Sequence, residues 1–469
     1  MPSLPMTLNL LRAREIFPAT PPHEVFLVGG SVRDLFLGRR PTDLDLAVTG
    51  EPLAYARRLA THIGGRLVAL GKPGLMLYRV VHGSQIIDIS AVAGRSIAED
   101  LRRRDFTINA LAVDVASGEI IDVCGGRGDI AAGRVRMVSG SAFEQDPVRL
   151  IRAFRMAAVL RFDVTPDTAA AVRDQALLIT RPAGERIRTE LLKILETPRA
   201  ANVIKQMADC GLLSAMLPEL AELRGHRSNQ KRFNDRFAHT LEAFSELENL
   251  LANPHAIIPV DVDRAGGSLA AVPGAVLKLA ILLHELVRTP NDRYTLHRLR
   301  KPAPKYDGVG TICTRLKLSK RQAHYVDFIS RNHNWPLLLF DAHRRNRLSA
   351  RAVGRFFMSV GDKTPDLTLH AAADVAAGTG DTRKRETSFT GFAQDLLRHY
   401  FTDFLPRSGS PPLLTGRDLI ELVGLRPAPV FKFLLTRIET DRLVGRLHTK
   451  EEAIRRVKEI LARRQASQR

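Results

Sequence analysis

Short apolar runs alternate with polar and glycine-containing breaks along the first 140 residues, a pattern typical of mixed strands and helices. The apolar runs predict strands at 25–28, 43–48, 66–70, 74–82 and 84–92. A helix is predicted at 51–63, because Leu53, Ala56 and Leu59 fall on one of its faces. We therefore expect an α/β segment at the N-terminal end of the chain.

From residue 143 onward the strand pattern fades and helical periodicity dominates. Breaks rich in Pro and Gly predict a long loop at 253–273 and a second interruption at 406–412. Strands followed by helices indicate an α+β fold or separate domains. We predict a head at 1–142, a helical neck at 143–215, a helical body at 216–345 and a helical tail at 346–469. The predicted helices are 146–159, 166–178, 184–196, 199–208, 235–252, 274–287, 318–331, 349–359, 365–376, 415–423, 427–440 and 449–464.

Candidate chemistry lies in FLVGGSVRDLFLGRRPTDLDLAV, residues 26–48. Gly29 and Gly30 follow a strand, where backbone amides can approach a phosphate closely, and Arg33 adds a positive charge. Asp43 and Asp45 lie two apart on a predicted strand, so both project from one face and can hold the same divalent ions. Taken singly, these features also fit a tight turn and a solvated strand end. The spacing fits neither G-x-G-x-x-G nor a P-loop.

The charge balance is strongly basic, with 70 Lys and Arg against 50 Asp and Glu, a net charge of +20. This excess favours a polyanionic partner, although solubility alone is an alternative explanation. The three cysteines lie far apart and indicate no disulfide framework. No apolar run reaches the roughly 18 residues needed to span a membrane, and the N-terminus lacks a signal-peptide pattern. We expect a cytoplasmic enzyme without a membrane partner.

Four segments in order resemble the hallmarks of one family, the bacterial tRNA nucleotidyltransferases and poly(A) polymerases of the polymerase β nucleotidyltransferase superfamily. The tail also resembles that family. The four segments are residues 26–48, EDLRRRDFTINALA at 99–112, QDPVRLIRAFR at 145–155 and ERIRTELLKIL at 185–195, and the tail segments are 412–429 and 448–454. The resemblance implies a polymerase β-like head with a mixed sheet, followed by helical neck, body and tail.

The resemblance also implies the reaction, in which an RNA 3′-hydroxyl attacks the α-phosphate of a nucleoside triphosphate and pyrophosphate leaves. Two metal ions stabilise the charge that builds up in such a transfer. Asp43 and Asp45 are the expected ligands, and Mg²⁺ is the expected ion. Asp88 is the candidate third carboxylate by position, with a solvated strand-end acid as the alternative.

Further nucleotide-binding residues follow from the same resemblance. Arg104, Asp105 and Asn109 are expected near the ribose and triphosphate. Asp146 and Arg149 are expected to read the edge of the incoming base, although Gln145 replaces the family's usual Glu. Without the resemblance, the local sequence predicts that Asp146 is a helix N-cap, because a proline follows it. Arg152 and Arg155 extend one helical face and either reach the triphosphate or form a solvated stripe.

The middle of the chain resembles an HD phosphohydrolase domain with parts missing. His239 is present, but the His-Asp doublet is replaced by His284-Glu285, and Tyr306-Asp307 stands where another histidine is expected. We therefore predict an incomplete ligand set and a degenerate body without phosphatase activity. Basic residues between 293 and 322 are candidates for following a phosphate backbone.

The resemblance favours template-independent transfer of CMP or AMP from CTP or ATP to the 3′ end of tRNA. Only ten residues separate Ile89 from Asp100, where many CCA-adding relatives carry a longer mobile loop. This short link favours an enzyme that adds only part of the CCA end. The alternatives are a poly(A) polymerase and a non-catalytic RNA-binding protein on the same fold.

Overall fold

A computed structural model describes residues 16–21, 24–72, 75–225, 235–259, 274–287, 308–378 and 383–466. The chain forms two compact units, Met1–Met216 and Leu217–Arg469, which are described separately. Several segments lie outside the described residues. They are residues 1–15, most of the loop predicted at 253–273, the basic residues of 293–305, and Tyr306-Asp307.

The first unit is built on a seven-stranded mixed sheet in the order β3-β4-β5-β2-β1-β6-β7. β2 and β5 pair in parallel, and the other neighbouring strands are antiparallel. All five predicted strands are present, and the α+β class is confirmed. The strands are β1 Val25–Val28, β2 Asp43–Val48, β3 Arg66–Lys72, β4 Leu75–His82, β5 Gln85–Ala91, β6 Ala112–Asp114 and β7 Ile120–Ile121.

Helices and a small second sheet complete this unit. β8 Arg134–Val135 and β9 Asp163–Val164 pair in parallel. Phe106 and Ile108 are fully buried beside the large sheet, as expected for core residues. The helices are α1 Gly30–Phe36, α2 Pro52–Ile63, α3 Ile97–Arg102, α4 Gly126–Ala131, α5 Ala142–Gln145, α6 Val148–Leu160, α7 Pro166–Gln175, α8 Gly184–Leu195, α9 Ala200–Asp209 and α10 Leu212–Met216.

The second unit is helical throughout its described residues. The predicted break at 406–412 is partly wrong, because a π-helical turn at His399–Phe404 leads directly into a helix at Leu405–Ser408. The helices are α11 Pro218–Ala221, α12 Arg236–Ala252, α13 Gly274–Leu283, α14 Gly308–Arg315, α15 Lys320–Asn332, α16 Trp335–Arg344, α17 Ala350–Val360, α18 Thr364–Ala377, α19 Arg383–Arg398, α20 Leu405–Ser408, α21 Gly416–Glu421, α22 Val430–Leu443 and α23 Lys450–Ala466. None of the helices in the described part of the chain has the length and apolar character to cross a membrane.

The interior of the second unit corrects one prediction. His239, His284 and Glu285 meet a fourth ligand-type side chain, Asp374 of α18. The expectation of an incomplete ligand set is wrong in this respect, because sequence spacing did not indicate that α18 returns to these residues. The four-part division into head, neck, body and tail stays a prediction.

Candidate active site

Three carboxylates lie together on two neighbouring strands of the first unit. Along β2, Asp43 and Asp45 are exposed, whereas Leu44 and Leu46 between and after them are buried. The parallel pairing of β2 with β5 sets Asp45 opposite Asp88. The three side chains predicted to hold metal therefore share one region of the sheet.

The electrostatics of Asp45 reflect this crowding. Although the side chain is accessible, partial desolvation raises its pKa, and the nearby charges of Asp88 and Asp43 raise it further. Arg104 and Arg33 act in the opposite direction without cancelling the effect. Like charges held close together in this way create a site where a bound cation is stabilising.

The Asp88 carboxylate is held by a residue that the sequence analysis did not single out. Arg79 on β4 donates from Nε to Oδ1 and from Nη2 to Oδ2 of Asp88, both at 2.8 Å. The two residues face each other in the β4–β5 ladder. This fork fixes the orientation of Asp88, so the alternative of a freely solvated strand-end acid is wrong.

The glycine turn sits directly beside these carboxylates. Gly29 has a φ of +69°, and a Cβ on it would come within 2.9 Å of Arg104 Nη1 and 3.9 Å of Asp45 Oδ2. The positive φ favours glycine here, and the absence of a side chain also lets the Arg104 guanidinium lie against this turn. At Gly30 a Cβ would meet the Arg33 guanidinium no closer than 3.4 Å.

Ser31, which the sequence analysis also missed, ties this turn to β2. Its buried hydroxyl donates to the Asp43 carbonyl at 3.1 Å and accepts from the Asp45 amide at 3.0 Å. These two hydrogen bonds fix the position of the first turn of α1 relative to β2, the strand that carries both aspartates. The signal available in the sequence was a small hydroxyl residue directly after the two glycines.

A chain of polar contacts connects the turn to the helices after residue 143. Arg33 Nη1 donates to Asn109 Oδ1 at 2.7 Å, and Asn109 Nδ2 donates to Asp105 Oδ1 at 3.0 Å. Arg152 of α6 reaches Asp105 Oδ2 at 3.3 Å and Glu190 of α8 at 3.2 Å. Four predicted nucleotide-binding residues are therefore linked through one network.

Arg155 belongs to the same network, since it pairs with Glu190. The Arg155 and Arg152 side chains are only 17% and 28% exposed, so the alternative of a solvated stripe is wrong for both. Glu190 and Arg186 both lie in the fourth quoted segment, but the sequence did not indicate which residues they would contact.

The proposed base-reading pair lies at the start of α6. Asp146 Oδ2 accepts from Arg186 Nη2 at 2.8 Å, and Arg149 Nη1 donates to the Ala142 carbonyl at 3.3 Å. Burial by itself would raise the pKa of Asp146, but the hydrogen bond and charge of Arg186 outweigh it and lower the pKa. Pro147, not Asp146, is the N-cap residue of α6, although Asp146 Oδ1 still accepts weakly from the Val148 amide.

Comparison with known proteins places this chain in a family. The model of the "Poly A polymerase head domain" matches residues 25–136, and that of the "Probable RNA and SrmB- binding site of polymerase A" matches residues 161–223. The A-adding tRNA nucleotidyltransferase of Deinococcus radiodurans is 31% identical over 456 residues, 95% of this chain and 97% of the relative. The chain belongs to the tRNA nucleotidyltransferase family.

A second relative in the tRNA nucleotidyltransferase family, the CC-adding enzyme of Thermus thermophilus, is 32% identical over 447 residues, 93% of this chain and 94% of the relative. The fold is shared with a CCA-adding enzyme solved with CTP, at a TM-score of 0.70, 20% identity and 97% coverage of both chains. It is also shared with the Thermotoga maritima CCA-adding enzyme solved with tRNA, at a TM-score of 0.67, 22% identity and coverage of 98% of this chain and 97% of the other. The resemblance drawn from the four segments is confirmed.

Proposed function

We propose that this chain is a template-independent nucleotidyltransferase that adds CMP or AMP, from CTP or ATP, to the 3′ end of tRNA. The observation that carries the proposal is the placement of Asp43, Asp45 and Asp88 beside the Gly29 turn, in a chain of the tRNA nucleotidyltransferase family. The relatives named above add A or CC to tRNA, and they match this chain over nearly its full length. A cytoplasmic location stays a prediction.

The carboxylate cluster fits the divalent ion that this family of enzymes uses. The pKa of Asp45 is raised first by burial and then by the negative charges of Asp88 and Asp43, and a cation bound between these carboxylates would relieve their repulsion. Oxygen ligands beside a phosphate substrate favour Mg²⁺, which would be held by Asp43, Asp45 and Asp88. When bound, such ions stabilise the attacking and leaving oxygens of the transfer.

The other predicted residues act on the nucleotide. The backbone of Gly29 and Gly30 lies against the guanidinium groups of Arg104 and Arg33, so a triphosphate bound at this turn would meet positive charge. Asn109 orients Arg33, and Asp105 orients Arg152, through the hydrogen bonds described above. Asp146 accepts from the exocyclic amine shared by cytosine and adenine, and Arg149 donates to a ring nitrogen or carbonyl.

The short link after β5 supports addition of only part of the CCA end. β5 ends at Ala91 and α3 begins at Ile97, so no extended loop separates them. A segment of this length cannot rearrange far enough to reshape the nucleotide pocket between C and A. We therefore expect the enzyme to add only part of the CCA end, either CC or the terminal A, and poly(A) synthesis is the alternative outcome to be tested.

The test uses purified protein, Mg²⁺ and tRNA transcripts that end at the discriminator base, at C or at CC. Labelled CTP and ATP are offered separately on each transcript, and the products are resolved at single-nucleotide length. Extension of tRNA by C or A that goes no further than the terminal A of CCA would support the proposal, and addition of only CC or only the terminal A would support partial addition. A long A tract, or equal extension of unrelated RNA, would contradict it.

The catalytic assignment is tested with Asp43→Ala, which should remove incorporation while tRNA binding is kept. Asp163→Ala is the matched control, because Asp163 is also exposed in the first unit but lies on β9, outside the carboxylate cluster. Full activity in Asp43→Ala would remove Asp43 from the mechanism, whereas loss in both variants would indicate a folding defect.

A further inference from the structure

A row of charged side chains crosses three neighbouring strands of the large sheet. Arg79 on β4 lies opposite Asp88 on β5, and Asp88 lies opposite Asp45 on β2. Val80 and Ile87, the sequence neighbours of Arg79 and Asp88, are fully buried, so the charged row lies on the accessible face of the sheet. One cation is therefore built in beside the carboxylates proposed to hold the divalent ion.

The Arg79 guanidinium engages both oxygens of the Asp88 carboxylate. Its two hydrogen bonds, to Oδ1 and to Oδ2, are both 2.8 Å long, so the guanidinium takes the edge of the carboxylate that lies between the two oxygens. A carboxylate offers about four lone pairs, and this fork uses two of them. Asp88 therefore keeps a lone pair on each oxygen for an ion, but it cannot hold one ion with both oxygens while Arg79 is in place.

Arg79 differs from Arg33 and Arg104, the two arginines whose charges act on Asp45. Those two arginines pair with acids outside the carboxylate cluster. Arg79 instead pairs with Asp88, which is itself a proposed ligand of the ion. Contact between Asp88 and an ion therefore forms against the hydrogen bonds and the charge of Arg79.

The charge of Arg79 also bears on the rest of the carboxylate cluster. The hydrogen bond and the charge of Asp88 raise the pKa of Arg79, desolvation opposes this, and the charges of Asp43 and Asp45 raise the pKa further. The guanidinium thus stays charged and offsets part of the negative charge that the three carboxylates present to a cation. Because like charges repel, a divalent ion beside Arg79 is held less tightly than it would be beside a neutral side chain.

We propose that Arg79 is a positioning residue that competes with the divalent ion for Asp88, so that the cluster binds the free ion weakly while Asp88 keeps the orientation used for transfer. This inference rests on the proposed function, because it concerns the same three carboxylates. Removal of Arg79 should have two opposite effects, tighter binding of the ion and slower transfer. The competing explanation is an ordinary cross-strand ion pair, since the Arg79 side chain is 37% exposed.

Binding of the ion is measured with Mn²⁺ as the probe, in the absence of nucleotide and RNA, from the electron paramagnetic resonance signal of the free ion. The chain carrying Asp43→Asn and Asp45→Asn reports the ions bound elsewhere, and its binding is subtracted. Arg79→Met should bind Mn²⁺ about tenfold more tightly than the unsubstituted chain, because it removes the charge and the fork together. Arg79→Lys keeps the charge without the two-pronged fork, so its affinity should lie between the two.

Arg66→Met is the matched control for the Mn²⁺ titration. Arg66 is an exposed arginine of the same sheet, but it lies on β3, which β4 separates from β5. Its replacement should leave the Mn²⁺ affinity unchanged. If Arg79→Met does not fold, Arg79→Gln takes its place.

Transfer gives the second measurement, as single-nucleotide addition to tRNA at saturating Mg²⁺. The kcat of Arg79→Met should fall by about tenfold, because Asp88 is no longer held in one orientation, while the KM for CTP and for tRNA stays the same. A loss of structure alone would weaken binding of the ion as well as transfer. Tighter Mn²⁺ binding together with a lower kcat therefore distinguishes positioning of Asp88 from a purely structural role.

The proposal is overturned if Arg79→Met binds Mn²⁺ no more tightly than the unsubstituted chain, whatever happens to its activity. A raised KM for CTP or tRNA at unchanged Mn²⁺ affinity would also overturn it, and would place Arg79 against the substrate instead. Because Mn²⁺ binding is measured without nucleotide or RNA, and transfer by the unsubstituted chain is measured separately, failure here leaves the proposed function intact.

Discussion

Asp146, which we propose reads the edge of the incoming base, is held in place by another side chain. The Asp146 carboxylate contacts Arg186, 40 residues later in the sequence, and this contact links the start of α6 to α8. Arg186 is 51% exposed, so the pair adds little to stability, and its main consequence is the orientation of the Asp146 carboxylate. We therefore assign Arg186 a positioning role for base selection.

The substitution Arg186→Gln should lower kcat/KM for CTP by about tenfold, equivalent to roughly 1.4 kcal/mol, because Asp146 loses its orienting charge. Discrimination between CTP and UTP should fall as well, since the exocyclic amine is no longer met in a fixed geometry. Both are measured as single-nucleotide addition to tRNA. The melting temperature should change little, as expected for an exposed pair.

Arg186→Lys is the control, because it keeps a positive charge near Asp146 with a different shape. Intermediate discrimination in Arg186→Lys would fit the positioning role. Unchanged CTP-to-UTP selectivity in Arg186→Gln would show that Asp146 does not depend on Arg186.

At the scale of single residues, the sequence predicted the side-chain positions that follow from the local periodicity of a strand or helix. Asp43 and Asp45 share a face because strand side chains alternate, and the structure agrees. The pairing of Arg79 with Asp88 could also have been predicted. The tight turn at Gly83-Ser84 makes His82 and Gln85 partners, and this register places Arg79 opposite Asp88. The contacts of Glu190 could not be predicted, because they depend on how α8 packs on α6.

Among the elements, α18 carries the most unusual set of buried polar groups. Asp366, His370 and Asp374 are spaced four residues apart and are all buried. Tyr325 of α15 donates to Asp366 Oδ2 at 2.5 Å, while Asp366 Oδ1 is buried without a hydrogen-bond partner. A helix with such a face is stabilised by specific partners rather than by uniform apolar packing.

The titration of Asp366 should make stability depend on pH. Burial raises its pKa to about 6 from 3.8, and the Asp362 charge adds to this while Tyr325 and Lys363 oppose it. Since the folded pKa is the higher one, the folded state gains stability below about pH 4 and loses it as the pH rises through about 6. The full loss is about 3 kcal/mol.

Asp366→Asn should therefore be more stable than the unsubstituted chain at pH 8, by up to about 3 kcal/mol, with a difference that shrinks towards pH 4. Urea unfolding at several pH values measures this. The comparison is between two chains at the same pH, so the titration of other groups largely cancels. A stability difference that stays constant from pH 4 to 8 would contradict the raised pKa.

The elements that the sequence missed have identifiable causes. No helix was predicted at 335–344, yet α16 forms there with Pro336 in its first turn, where proline is tolerated. The helix α19 begins with a run of charged residues, but its buried Phe389, Phe392 and Leu396 follow the i, i+3, i+7 spacing of one helix face, so the sequence did carry a signal for this helix. Longer amphipathic helices such as α12 and α8 were predicted within two residues at each end.

For the molecule as a whole, the net charge of +20 is the feature that sequence alone made plain. The proposed transfer uses carboxylates where the RNA end would react, so we expect most of the basic excess that binds RNA to lie outside the carboxylate cluster. Binding of a polyanion therefore depends on Lys and Arg spread over the rest of the chain. We therefore expect most of the free energy of tRNA binding to come from residues other than those proposed to carry out the transfer.

The affinity for tRNA should fall steeply with salt, by at least about 100-fold between 50 and 200 mM, because each neutralised phosphate releases counterions. Fluorescence anisotropy of labelled tRNA measures the slope of log K against log salt. The Asp43→Asn, Asp45→Asn chain should give the same slope, since it changes transfer residues and no cationic contact. An affinity that changes less than about threefold over this range would mean that the positive charge serves solubility, and that tRNA is held chiefly by uncharged contacts.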